Sequence, residues 1–143
     1  MIAIEKLLIL RAVTLFKQMP DDLLLQLVLT IVKEEFIEAG KTIIDTKVKN
    51  SYIYIIVSGC VKIHTKDHFI SELGEREVFG ELSALSFEFP ISYVSAVTDC
   101  LVLKISSQSL YDVMYYDIGI AKGIIAALCH RAQAISTQLQ HKM

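Results

Sequence analysis

The chain has 143 residues, 53% of them apolar and 21% charged, and its formal net charge is −2. This length suits one domain with a single core, so we expect one domain over residues 1–143. The nearly balanced charge, with no basic run longer than two residues, argues against direct binding of nucleic acid. No uninterrupted apolar stretch reaches about 18 residues, so we also expect no membrane span in this chain.

The cysteines indicate a reducing compartment. Cys60, Cys100 and Cys129 are odd in number, far apart and embedded in apolar sequence. This pattern is typical of buried free thiols and not of a disulfide framework. The opening segment MIAIEKLLIL lacks the basic region and the cleavage site of a secretion signal. We therefore expect a cytoplasmic protein, or the cytosolic domain of a membrane-associated one.

Helices are predicted first, followed by strands. Apolar residues recur at helical spacing over residues 1–32, where Pro20 and the two aspartates after it suit the first turn of a second helix. Residues 33–106 instead contain seven short β-rich runs punctuated by turn residues. The sequence thus predicts a mainly β fold, a jelly-roll-like antiparallel β-roll with flanking helices.

Residues 107–139 return to helical spacing, and from Ile118 onward the pattern predicts one long C-terminal helix. Its apolar residues step alternately by three and four, which gives a heptad seam of about three repeats. Each half of this helix has its own open interpretation. The first half would pack on its own roll, and the second half, past Arg131, would pair with a second copy of the chain. The seam residues that we assign to a homodimer are Ile125, Leu128, Ala132, Ile135 and Leu139.

The stretch FGELSAL, residues 79–85, suggests a site for an anion. Gly80 permits a tight turn, and the N–H groups of Leu82 and Ser83 begin a short helix whose dipole favours a negative charge. The alternative is that these residues simply start a short helix and hold nothing.

Five motifs spread over nearly the whole chain carry a family resemblance. They are LFKQMPDDLLLQLV, EAGKTII, YIYIIVSGCVKI, VFGELSAL and VSAVTD. Together they resemble the cyclic nucleotide-binding domains of bacterial catabolite regulators, cyclic-nucleotide-gated channels and kinase regulatory subunits. The resemblance implies that residues 79–91 form a phosphate-binding cassette with a short helix, and that Glu81 accepts a hydrogen bond from the ribose of cyclic AMP or cyclic GMP. The implied ligand-binding residues are Phe79, Gly80, Glu81, Leu82, Ser83, Pro90 and Ile91.

The cassette departs from the family pattern nine residues after Glu81. At that point the family carries an arginine that grips the cyclic phosphate, whereas this chain has Pro90 followed by Ile91. Neither side chain can donate a hydrogen bond, and Pro90 also lacks a backbone N–H. We therefore expect cyclic nucleotide binding to be weak or lost, with a functional sensor of cyclic AMP or cyclic GMP as the alternative. Arg76 and the lysines of the loop at residues 47–51 are other cations to weigh, and we expect both to be solvated.

No catalytic motif is present, and His64 and His68 lack the spacing of a metal site. We expect a non-catalytic regulatory domain without metal or cofactor. Its output would pass through the C-terminal helix, a partner or a fused effector domain. The segment GIIAALCHRAQAI also resembles the closing helix of such domains fused to bacterial transporter-like membrane proteins, so a larger transporter or signalling protein is one expected context.

Overall fold

The N-terminal part of the protein is helical in the computed structural model, which describes residues 1–142. Helix α1 spans Ala3–Ala12, a single 3₁₀ turn follows at Thr14–Phe16, and helix α2 spans Asp21–Thr30. Pro20 caps α2 in an extended conformation, and the first turn contains two aspartates. Proline removes no helical hydrogen bond at this place, and the carboxylates complement the helix dipole, so α2 begins where the sequence predicts.

Eight strands form two four-stranded antiparallel sheets, which confirms the predicted β-roll. One sheet has the order β1-β8-β3-β6 and the other the order β2-β7-β4-β5. The strand that the sequence does not predict is β6, which has two residues and pairs with Tyr54 and Ile55 of β3. A strand this short shows no alternation of apolar and polar residues. The bounds are β1 Lys33–Ile37, β2 Thr42–Ile44, β3 Tyr52–Ser58, β4 Val61–His64, β5 Phe69–Leu73, β6 Val78–Phe79, β7 Tyr93–Ala96 and β8 Cys100–Ser106.

Strand β3 is buried on both faces, because the protein has two apolar clusters and β3 lies between them. Ile53 and Ile55 face a cluster shared with the N-terminal and C-terminal helices. Tyr54 and Ile56 face a second cluster, which lies between the two sheets. Alternate side chains of a strand point to opposite faces, so the unbroken apolar run YIYIIV supplies both clusters at once.

Two helices follow the roll: α4 at Ser107–Tyr116 and α5 at Ile118–Lys142. The hydroxyl of Ser106 caps α4 by accepting a hydrogen bond from the Ser109 N–H at 2.9 Å. Helix α5 runs without a break through both of its glycines. A Cβ atom at Gly123 would lie 2.9 Å from Cγ of Met19, so this glycine allows α5 to approach the turn before α2.

Helix α5 packs on the domain through a different stripe from the predicted seam. Its buried residues are Ile120, Gly123, Ile124 and Ala127. Leu128 packs against the apolar cluster that the N-terminal and C-terminal helices share, whereas Ile125 is exposed. The interpretation that the first half of the seam packs on the roll is therefore wrong for Ile125. From residue 132 to residue 142 every position is exposed. The distal part of α5 therefore projects from the domain.

By length and composition, α5 would be able to cross a membrane. That property alone is weak evidence of a span, because core helices of soluble proteins meet the same test. The expectation that this chain contains no membrane span rested on uninterrupted apolar runs, and it stays a prediction.

All three cysteines are free, as predicted, but they are not all buried. Cys100 is buried and Cys60 is half-buried, whereas Cys129 is exposed because it lies on the outer side of α5. Burial raises the pKa of the Cys100 thiol. A hydrogen bond with Glu72 raises the pKa of the Cys60 thiol, so both thiols ionise less readily than free cysteine.

Candidate functional site

The cassette is a short helix held between two left-handed residues. The backbone of Gly80, at φ 83°, turns sharply out of β6 and begins helix α3 at Glu81–Ser86, and Phe87 ends it at φ 60°. A Cβ atom at Gly80 would lie 2.8 Å from the carbonyl oxygen of Tyr52 and 2.9 Å from Nδ2 of Asn50. Both the φ angle and the lack of space thus require glycine at this position.

Asn50 ties the cassette to the loop before β3. Its side-chain amide donates to the carbonyl oxygens of Tyr52 at 2.8 Å and Gly80 at 2.9 Å, and its carbonyl accepts from the Tyr52 N–H at 3.1 Å. The sequence shows only a polar loop at this place. The available signal is that asparagine often bonds to backbone two residues further along the chain. The bond to Gly80, which is distant in sequence, depends on the fold.

The cassette and both sheets line a cavity of about 440 Å³ that is partly open to solvent. All seven residues that the family resemblance singles out line it: Phe79, Gly80, Glu81, Leu82, Ser83, Pro90 and Ile91. The other lining residues are Ile44, Ile63, Leu73, Val78, Ser86, Glu88, Phe89, Ser92, Val94 and Arg131. We call this space the cassette cavity. A volume of a few hundred Å³ is typical of small-molecule sites.

Arg131 of α5 forms an ion pair with the carboxylate of Glu81 inside the cavity. One guanidinium nitrogen, Nη1, lies 3.0 Å from Oε1 of Glu81. The Glu81 side chain is only 7% exposed, and that of Arg131 is 40% exposed. A carboxylate that is so little hydrated needs a charged or donating partner, and Arg131 supplies one. Nothing in the sequence singles out Arg131, because its pairing depends on where α5 crosses the cassette.

The other candidate cations do not reach the cavity. Arg76 donates from Nη1 to the carbonyl oxygen of Val57 at 3.2 Å. Lys49 lies over the ring of Phe89 with its Nζ 5.5 Å from the ring centroid, and neither it nor Lys47 lines the cavity. Within residues 1–142, the sole positively charged side chain in the cavity wall is that of Arg131.

The sequence pattern of the cyclic nucleotide-binding domain family matches residues 34–117, from β1 to the residue after α4. The chain belongs to this family. A curated relative is the potassium channel AKT2 of Oryza sativa subsp. japonica, which is 32% identical over 112 residues, 74% of this chain and 13% of the channel.

Solved structures share the fold of this cyclic nucleotide-binding domain. The regulatory domain of Toxoplasma gondii PKA, a co-crystal structure with cAMP, aligns with a TM-score of 0.71 and 23% identity over 77% of this chain and 43% of that one. The regulatory subunit of a cAMP-independent protein kinase A from Trypanosoma brucei aligns with a TM-score of 0.73 and 20% identity, over 96% of this chain and 53% of that one. The chain spans only part of each relative, from 13% of the channel to 53% of the kinase subunit.

The cassette position at which the family carries an arginine is apolar in this chain. Pro90 is buried in the cavity wall. Ile91 is 92% exposed, so it borders the cavity while most of its surface faces solvent. Neither Pro90 nor Ile91 offers a cation to a phosphate in this part of the cyclic nucleotide-binding domain.

Helix α4 holds the far end of the cassette helix. The hydroxyl of Tyr111 donates to the carbonyl oxygen of Leu85 at 2.6 Å. Its ring stacks on Phe87 with the centroids 5.4 Å apart. A second space of about 480 Å³ lies beside this contact, between α3, α4 and α5. We call it the helical groove. It is lined by Glu81, Leu82, Leu85, Ser86, Tyr111, Met114, Ala121, Ile124, Ile125 and Leu128.

The histidines of the roll are not assembled into a metal centre. Nε2 of His64 lies 2.8 Å from the hydroxyl of Ser95, and the backbone N–H of His68 donates to the Thr65 hydroxyl at 3.0 Å. Within the part of the chain that the structure describes, no three metal-binding side chains cluster. His64 thus has a hydrogen-bond partner within the sheet.

Proposed function

We propose that this domain is a non-catalytic regulatory module in which cyclic nucleotide binding is weak or lost. The observation that carries the proposal is the pairing of Arg131 with Glu81 in a cavity whose arginine position is filled by Pro90. The phosphate-facing side of the cassette has no cation of its own. Among residues 1–142, the guanidinium that lines the wall, that of Arg131, is engaged by the carboxylate of Glu81.

Two energetic costs would oppose a cyclic nucleotide. A hydrogen bond to a charged group contributes about 1.5–3 kcal/mol, so a cassette without the arginine should bind a cyclic phosphate about tenfold to a hundredfold more weakly. Glu81 would also have to leave Arg131, or share it, before accepting a ribose hydroxyl. The backbone N–H groups of α3 remain, but this helix has only six residues, so its dipole offsets little of the loss.

The relatives show why the fold alone does not decide the ligand. The T. gondii domain has the same fold in a co-crystal structure with cAMP, and the T. brucei subunit has it in a protein described as cAMP-independent. This chain resembles both in backbone. Pro90 and the Glu81–Arg131 pair favour a domain that does not depend on cAMP, as the T. brucei protein is described.

A functional sensor of cyclic AMP or cyclic GMP is the alternative. It is favoured by the retained turn at Gly80 and by Glu81, which lines the cavity. In that case Arg131 would leave Glu81 and contact the phosphate, and α5 would move with it. Titration calorimetry of the unmodified chain, with each nucleotide up to millimolar concentration, separates the two. Micromolar binding of either nucleotide would disprove the proposal, and absence of heat at this concentration would support it.

The domain would act on an effector in a longer protein or on a partner. The chain spans 13% of the rice potassium channel, in which such a domain is one part of a larger polypeptide. We propose a comparable arrangement here, with the domain on the cytosolic side of a transporter or within a signalling protein. The projecting end of α5 is the element through which a change at the cassette would be transmitted, since Arg131 joins it to Glu81.

We also propose that two copies pair through the seam of α5, from Ile125 to Leu139. Ile125, Ile135 and Leu139 are each more than half exposed, and Ala132 is exposed as well. Leu128 lies on the same stripe but is half-buried against its own domain, so it would border the interface. The pairing would cover apolar side chains that this domain leaves in water.

A further inference from the structure

We infer that the cassette cavity binds an uncharged, largely apolar small molecule in place of a cyclic nucleotide. This inference rests on the proposed function, because it concerns the ligand that the same site would take once the cyclic phosphate is disfavoured. Three features of the cavity support it: continuity with the apolar core, the sign of its charges and the position of its polar groups.

The cavity is an extension of the apolar cluster between the sheets. Ile44, Phe79 and Val94 belong to that cluster and also line the cavity. Ile63 and Leu73 pack against the cluster from β4 and β5 and line the cavity as well. A molecule seated here would meet side chains from both sheets, and burial of apolar surface would provide most of its binding free energy.

The charges of the cavity wall disfavour an anion. Glu81, Glu88 and Arg131 are its charged residues within the described part of the chain. Two carboxylates and one guanidinium leave a net charge of −1. Because Arg131 is paired with Glu81, an entering phosphate or sulfonate would meet a second carboxylate, that of the exposed residue Glu88, and the wall itself has no further cation within the described residues to offset it.

The polar side chains of the cavity are few, and most of them lie in or next to the cassette. They are the hydroxyls of Ser83, Ser86 and Ser92, in addition to the carboxylate of Glu88 and the Glu81–Arg131 ion pair. Such groups orient a neutral ligand through one or two hydrogen bonds, while the apolar wall supplies the affinity. The ligand class that fits is a neutral aromatic or aliphatic molecule that carries one hydroxyl or one aromatic amine.

Two dyes with the same aromatic skeleton test the inference. N-phenyl-1-naphthylamine is neutral, and 1-anilinonaphthalene-8-sulfonate adds one sulfonate to it. Fluorescence titration of the full chain should show saturable binding of the neutral dye with one site per chain, and at least tenfold weaker binding of the sulfonate. Equal or tighter binding of the sulfonate would overturn the inference, and so would the absence of saturable binding of the neutral dye.

Matched variants show which space the dye occupies. Leu73→Gln places an amide in the wall of the cassette cavity and should weaken the neutral dye about tenfold, because a polar group replaces apolar contact. Met114→Gln makes a similar change in the helical groove, which Met114 lines, and should leave the affinity unchanged. Weakening by Met114→Gln without weakening by Leu73→Gln, or equal weakening by both, would overturn the assignment to the cassette cavity.

A second variant of the cavity wall controls for the possibility that Leu73→Gln does not fold. Ile63→Gln lies on β4 and should repeat the effect of Leu73→Gln, with circular dichroism and thermal melting used to choose the variant that keeps the native fold.

Micromolar binding of cyclic AMP or cyclic GMP would contradict the proposed function. Failure of the neutral dye, with no heat from either nucleotide, would leave the proposed function standing and overturn only the inference about the ligand.

Discussion

Glu81 lies in the wall of the cassette cavity and is paired there with Arg131 of the last helix. The ion pair with Arg131, at 3.0 Å, has one side almost fully buried and the other side partly solvated. Removing one member of such a pair leaves an uncompensated charge, which costs more than the pair itself contributes. The single and double substitutions should therefore differ in a measurable way.

The first prediction concerns this pair. Arg131→Gln should lower the free energy of unfolding by about 1–3 kcal/mol, because the buried carboxylate loses its charged partner. The double variant Glu81→Gln with Arg131→Gln should recover part of the loss. Urea unfolding of the chain, its two single variants and the double variant gives the coupling energy directly. Additive losses in this cycle would mean that the ion pair is not formed in solution.

The second prediction concerns Pro90. Pro90→Arg should gain affinity for cyclic AMP or cyclic GMP by about tenfold to a hundredfold, since a guanidinium at this position donates to the cyclic phosphate. Pro90→Ala is the matched control, because it removes the ring without adding a cation. Calorimetry with both nucleotides measures the change. Equal affinities of the arginine and alanine variants would show that the missing arginine does not limit binding.

The third prediction concerns Tyr54, whose ring stacks on Phe79 with the centroids 4.9 Å apart. Burial, aided by the charge of Glu35, raises the pKa of Tyr54 to about 12 from an ordinary value of 10.0. Above pH 10 the unfolded chain ionises this phenol while the folded chain holds its proton, so stability should fall as pH rises from about 10 to 12. Urea unfolding across this range checks the slope. Tyr54→Phe should reduce this loss of stability between pH 10 and pH 12. An unchanged slope in the variant would mean that Tyr54 is not the group responsible.

The sequence could predict the position of some residues at the cassette but not of others. Gly80 and Glu81 belong to a contiguous motif, so their place beside one cavity was predictable. Asn50 and Arg131 reach the cassette from a distant loop and a distant helix. Their contacts depend on the packing of whole elements, and one sequence without its fold does not contain that information.

At the scale of elements, the roll was more predictable than the long helix. Strand β3 has a continuous apolar run, and β8 has one from Cys100 to Leu103, because both strands are buried on both faces. Helix α5 instead carries two apolar stripes, one through Ile120 and Ile124 and one through the seam residues Ile125 and Ile135. Spacing alone does not tell which stripe faces the domain. Packing decided it, because Gly123 lets the first stripe approach Met19.

The fourth prediction tests the second stripe. Ile135→Glu together with Leu139→Glu should convert a dimer to a monomer, because the paired helices would bring like charges into an apolar seam. Thr137→Glu is the control, since this exposed residue lies on the opposite side of α5 from the seam. Sedimentation velocity of the three chains measures the mass. A monomer in all three would dispose of the dimer, whereas dimers in all three would place the interface elsewhere.

At the scale of the whole molecule, the projecting end of α5 has no packing partner within its own domain. Residues 132–142 make no buried contact. This end of the 25-residue helix α5 gains no stability from packing on its own domain, and it exposes Ile135 and Leu139. A second copy would cover it, and the stability of the chain would then depend on concentration.

The fifth prediction compares the full chain with a chain that ends at residue 133. The shorter chain lacks Ile135 and Leu139 of the seam, so its melting temperature should be independent of protein concentration. It keeps Arg131 and all the buried residues of α5, so this melting temperature should equal that of the diluted full chain. The melting temperature of the full chain should rise with concentration, because dimerisation stabilises the folded state by mass action. Thermal melting over about a hundredfold range of concentration measures both. A full chain whose melting temperature does not change would mean that its distal helix is not covered by a second copy, whereas a shorter chain that melts lower at every dilution would mean that residues 134–143 stabilise the single domain.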